Sequence, residues 1–141
     1  MIDKDIIEAK FDIIERNLKF IEEYYKEKSA KEIERDYRDY QALKFSLFEI
    51  VEACIDIANH IISAKRFERA EEYSKMFLVL GKNNVISKEL AEKLAKMARF
   101  RNFLIHRYGD VNAEYLLKII NEDLQDIVNF MKEIKTYMKS L

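Results

Sequence analysis

The chain has 141 residues, 49% hydrophobic and 36% charged, which is enough apolar content for the core of one domain and too much for a disordered chain. It has no proline and two glycines, Gly81 and Gly109, which excludes a turn-rich all-β fold and any glycine-rich phosphate loop. The net charge is −1, yet residues 81–109 alone carry +5 within an otherwise acidic chain. A basic segment attracts phosphate and nucleic acid, or else simply solvates an outer helix face.

Cys54 is the single cysteine, so neither an internal disulfide nor a cysteine metal cluster can form, as in a reducing compartment. No run of about 18 apolar residues is present to cross a membrane. Met1-Ile2-Asp3-Lys4-Asp5 lacks the basic start and apolar run of a signal peptide. A single domain over residues 1–141 and a cytoplasmic location are the expectations.

The first segment, about 2–28, places Ile7, Phe11, Ile14, Leu18, Ile21 and Tyr25 at alternating steps of four and three, a seam down one helix face. The second, about 32–64, repeats this with Leu43, Leu47, Ile50, Cys54, Ile57 and Ile61 and is apolar on its flanks too, which marks a central helix. A shorter helix is expected over 67–80, with Gly81-Lys82-Asn83-Asn84 as its cap and loop. Ser87 then N-caps a helix carrying Leu90, Leu94, Met97, Arg101, Leu104 and Tyr108 and ending near Gly109. The last helix, about 113–139, carries Leu116, Ile120, Leu124, Ile127, Met131, Ile134 and Met138. Together these predict an all-α, up-and-down bundle of four long helices plus one shorter one.

Arg101 breaks the fourth seam. A guanidinium is costly to bury without partners, so it snorkels to water, reaches a carboxylate, or waits at a cleft for an anion. His106 follows Asn102 by four residues, so both lie on one helix face. Histidine titrates near neutrality and can act as general acid or base. Arginine clamps a phosphate and neutralises charge building on it. Asparagine can orient the imidazole or a ribose hydroxyl. This set suits metal-independent cleavage of an RNA phosphodiester by its own 2′-hydroxyl, which needs a proton donor or acceptor, a clamp and a held geometry. A lone histidine near a helix C-terminus is more often a satisfied or capping group, where the dipole favours its charge.

The spacing Arg101, four residues, His106, one residue, Tyr108 resembles the signature of HepT-like toxins in the HEPN superfamily, where a polar residue such as Asn102 follows the arginine. Residues 53–62 resemble the family's second-helix pattern, and 86–94 its run-in to the signature. The resemblance implies a HEPN-like helical bundle and a metal-independent endoribonuclease toxin of a prokaryotic type VII toxin–antitoxin module, with no cofactor. Arg101, Asn102 and His106 would be its catalytic residues. It also implies homodimers or higher homo-oligomers that pair the signature helices around a shared cleft. The implied partner is an MntA-like minimal nucleotidyltransferase antitoxin, which neutralises the toxin by AMPylation of the tyrosine matching Tyr108. Phe100 and Phe103 read as packing residues beside the motif.

Asp56, Asn59 and His60 share one side of the second helix. Asp56 and His60 could support the site, Asp56 as a partner for Arg101, or could belong to a hydrogen-bond cluster. Two ligand types without a third are no metal site. A non-catalytic HEPN module that binds RNA or the nucleotidyltransferase is the alternative to an enzyme.

Overall fold

Helical periodicity is realised throughout the computed structural model, which describes residues 1–106 and 112–141, apart from the side chains of Ile105 and His106. Among these residues the fold is all-α. Its elements are α1 (Lys4–Tyr24), α2 (Ala30–Arg35), α3 (Tyr37–Lys65), α4 (Tyr73–Lys82), α5 (Lys88–His106), α6 (Ala113–Glu122) and α7 (Leu124–Lys139). The predicted end of the fourth helix at Gly109, and Tyr108 with it, lie outside the described residues.

Local chemistry sets the ends. The Asp3 side chain accepts hydrogen bonds from the N–H groups of Asp5 and Ile6 at the start of α1, satisfying donors that a helix leaves open. Ser29 and Glu32 close a capping box on α2. Ser87 Oγ accepts from the Leu90 N–H at the head of α5, as its sequence suggests. Asn112 does the same for Tyr115 at the head of α6.

Three boundaries differ from the predicted ones. The second segment is two helices, because the Asp36 carboxylate caps the Arg38 N–H and starts a new helix there. The last segment also breaks, at Asp123, so that α6 packs on α2 while α7 packs on α5. Both α6 and α7 face the same core, so their apolar spacing runs on through the break. The short helix begins at Tyr73 rather than 67 and runs through Gly81 to Lys82.

Gly81 is thus a helix residue, not a cap. A methyl group in place of its hydrogen would lie 2.7 Å from the Ala91 Cβ on α5. Its missing side chain lets α4 and α5 approach closely. Central α3 supplies Leu43, Ile50, Cys54, Ile57, Ala58 and Ile61, each essentially inaccessible to solvent, and packs on α1, α4 and α5. Burial pushes the Cys54 thiol well above its usual range, leaving it unreactive. A buried polar link crosses the α1–α3 core: Ser46 Oγ donates to Asn17 Oδ1 at 2.7 Å, while Asn17 Nδ2 donates to the Ile13 carbonyl.

Two stability predictions follow from this packing. Gly81→Ala should lower stability by about 1–3 kcal/mol, the usual range for overpacking, despite alanine's better helix propensity. Combining it with Ala91→Gly should restore most of the loss in thermal melts. Ser46→Ala should cost about 1–3 kcal/mol, because it strands a buried acceptor on Asn17. Chemical denaturation with an unchanged m-value would register that as a native-state effect.

Candidate functional site

Leu94, Met97 and Leu104 of α5 are buried, and Arg101 shares their seam. Its side chain keeps only 17% of its surface exposed. Of the three fates open to a charge in that position, the structure realises the carboxylate. Arg101 Nε donates to Glu52 Oε1 of α3. The guanidinium carbon lies 4.6 Å from the ring centre of Tyr73, the first residue of α4, and 5.8 Å from that of Phe48 on α3.

Helices α3, α4 and α5 therefore converge on one cation. Burial of the charge is offset by a charge-assisted hydrogen bond and by two aromatic faces, each contributing about 0.5–2 kcal/mol. Glu52 engages the Nε edge of the guanidinium. The Nη groups make no hydrogen bond among the described residues, and they are the part of the fork that can grip two oxygens of a phosphate. Asn102 follows on α5 with its side chain exposed. His106 occupies the last described turn of α5, one turn beyond Asn102, so their backbone positions share a face. Phe100 is buried and packs on Tyr115 with ring centres 5.0 Å apart, whereas Phe103 is 41% exposed and departs from a purely internal packing role.

Asp56 does not partner Arg101. Its carboxylate accepts from Lys10 Nζ of α1 at 2.9 Å. His60 Nε2 accepts from the Asp3 N–H at 2.9 Å, tying the start of α1 to α3. Both point to the α1 side of α3, away from the α5 contact, because each sits roughly 40° or more around the helix axis from Glu52. The supporting role expected of Asp56 belongs to Glu52, one turn earlier on the same helix. Its only sequence signal is a charge on a largely apolar helix at the same four-residue spacing. Tyr73 and Phe48 carry no such signal, since each sits among ordinary apolar helix positions. Among the described residues, no group of three or more His, Cys, Asp or Glu side chains could hold a metal ion.

No helix among the described residues is long and apolar enough to cross a membrane. The family described as Ribonuclease HepT-like matches residues 14–134. The mRNA nuclease HepT of Shewanella oneidensis is 31% identical over 131 residues, which are 93% of this chain and 97% of that protein. The tRNA nuclease HepT of Aphanizomenon flos-aquae is 26% identical over 141 residues, 99% of this chain and 95% of that one. The fold matches a tri-AMPylated Shewanella oneidensis HEPN toxin, solved in complex with an MNT antitoxin, with a TM-score of 0.86 at 30% identity, covering 95% of this chain and 99% of that one. A sequence match over most of the chain and a shared fold along nearly its whole length place this chain in the family of HepT-like ribonucleases.

Proposed function

We propose that this chain is a metal-independent endoribonuclease toxin whose catalytic residues are Arg101, Asn102 and His106. The observation that carries the reading is Arg101, held in an apolar seam by Glu52, Tyr73 and Phe48 with its Nη edge left for an anion. Asn102 and His106 follow within the next turn and a half of the same helix.

The reaction requires four roles. A base takes the proton of the 2′-hydroxyl, whose oxygen attacks the adjacent phosphorus. The 5′-oxygen leaves and takes a proton from an acid, giving a cyclic phosphate end. Imidazole serves as either proton carrier. Arg101 neutralises the charge gathering on the non-bridging oxygens. Asn102 holds the ribose or the imidazole in line. One copy supplies one arginine and one histidine, so pairing two copies of α5 across a two-fold axis would double both and widen the basic groove.

The proposed partner is an MntA-like nucleotidyltransferase antitoxin, in keeping with the antitoxin-bound, AMPylated relative. Tyr108, two residues past His106, is the proposed acceptor. An adenylyl group there would add bulk and negative charge where the RNA phosphate has to bind.

In buffer containing EDTA, wild type should cleave single-stranded RNA, and His106→Ala and Arg101→Ala should each lose about 10²–10⁴-fold in rate, the usual contribution of positioned proton transfer or charge stabilisation. Gel electrophoresis of labelled RNA reads this directly. Cleavage by His106→Ala at the wild-type rate would favour the non-catalytic binding module instead.

Glu52→Ala frees the guanidinium to move and should lower cleavage about 10²-fold, the scale of a small misplacement. Glu52→Gln, which keeps an acceptor, should recover part of it. Tyr108→Phe should keep cleavage. Intact-mass spectrometry after incubation with the antitoxin and ATP should show AMP added to wild type and none added to this variant at the acceptor.

A further inference from the structure

A cleft of about 830 Å³ opens where α3 ends and the 66–72 connection leads to α4, lined by Asn59, Ser63, Arg66, Phe67, Arg69 and Met76, among others. It adjoins the Arg101 site along two elements. Asn59 lies two turns beyond Glu52 on the same stripe of α3, roughly 10 Å along the axis. Met76 lies one turn beyond Tyr73 on α4. The Arg66 and Arg69 side chains are exposed and have no ion-pair or hydrogen-bond partner among the described residues. Glu68 in the same connection is already taken by Lys82 Nζ at 3.0 Å.

Two features make this more than a solvated pair of arginines. Arg66 caps α3 in the left-handed region, with φ 55° and ψ 39°, a position where glycine is the usual residue because a Cβ is disfavoured. Arginine occupies that position here, and it lines the cleft. The cleft also sets an apolar wall, Phe67 and Met76, beside the two guanidinium groups. The carbonyls ending α3 do not offer a cation site, since Ile62 and Ser63 already accept from the N–H groups of Phe67 and Arg66.

We infer that this cleft is a nucleotide subsite, taking a phosphorylated nucleoside of the RNA strand next to the bond gripped at Arg101; the inference rests on the ribonuclease reading. Arg66 and Arg69 supply bidentate contacts to phosphate. Phe67 and Met76 give the base an apolar wall, and Asn59 and Ser63 offer hydrogen bonds to its edge or the ribose. Glu71, also on the lining, repels a phosphate at its end and accepts from a base amino group. This polarity orients the nucleotide. A free mononucleotide shares the same chemistry.

The test titrates two probes into wild type, Arg66→Gly, Arg69→Gln and a distant control, Lys132→Gln on α7. One is a labelled 2′-O-methyl single-stranded oligonucleotide about eight nucleotides long, which lacks the attacking hydroxyl and stays intact; the other is AMP. Each cleft variant should weaken oligonucleotide binding roughly tenfold and lower the salt slope by about one. The control should match wild type. Arg66→Gly should melt at or above the wild-type temperature, which separates lost binding from lost folding. AMP bound as tightly as the oligonucleotide, and lost in the same variants, supports the site with a free nucleotide as the source. Oligonucleotide binding unchanged in both cleft variants overturns the subsite, even where His106→Ala abolishes cleavage and the ribonuclease reading stands. Cleft-dependent binding by a chain that cleaves no RNA leaves the subsite and removes that reading.

Discussion

A guanidinium cannot shed its charge, and α5 places one on the seam of the buried Leu94, Met97 and Leu104. The fold answers this constraint from two neighbouring helices at once. Glu52 comes from the middle of α3, Phe48 from the turn before it, and Tyr73 from the first position of α4. Removing any of them leaves a cation in low-dielectric surroundings with too few partners. The arrangement also limits how Arg101 can move. Its Nε edge is committed to Glu52, and two rings lie against the guanidinium. The same contacts thus offset the buried charge and restrain the side chain that carries it.

The close packing of α4 on α5 serves the same end. Gly81 brings the two helix backbones together at one end of α4, while Tyr73 covers Arg101 at the other. A helix spaced outward by one methyl group at Gly81 would carry Tyr73 with it, because an α-helix of this length is stiff.

Helix α3 divides its labour around its own axis. Its apolar faces fill the core. Asp56 and His60 bind α1 through Lys10 and the Asp3 N–H, and Glu52 serves α5. Farther along the stripe that starts at Glu52, Asn59 and Ser63 lead to Arg66 and the open cleft. One helix thus connects the Glu52–Arg101 contact to the cleft lined by Arg66 and Arg69.

Apolar spacing alone determined that the chain is helical, which residues face the core, and that Arg101 stands where an apolar residue belongs. Spacing of Arg101, Asn102 and His106 placed the signature on one helix. These are local properties, because a helix turns by a constant angle per residue and each side chain's burial follows from its position on that turn. Only the tertiary structure decided that Glu52, not Asp56, meets Arg101. The two lie one turn apart and nearly in line, so periodicity cannot separate them; the small angle between them becomes decisive only when α1 lies to one side of α3 and α5 to the other. The breaks at Asp36 and Asp123 were hidden for a related reason: two helices that face one core can share an unbroken apolar rhythm. Gly81 read as a terminus because glycine more often ends helices than lets them touch, and the touching partner, Ala91, belongs to another helix.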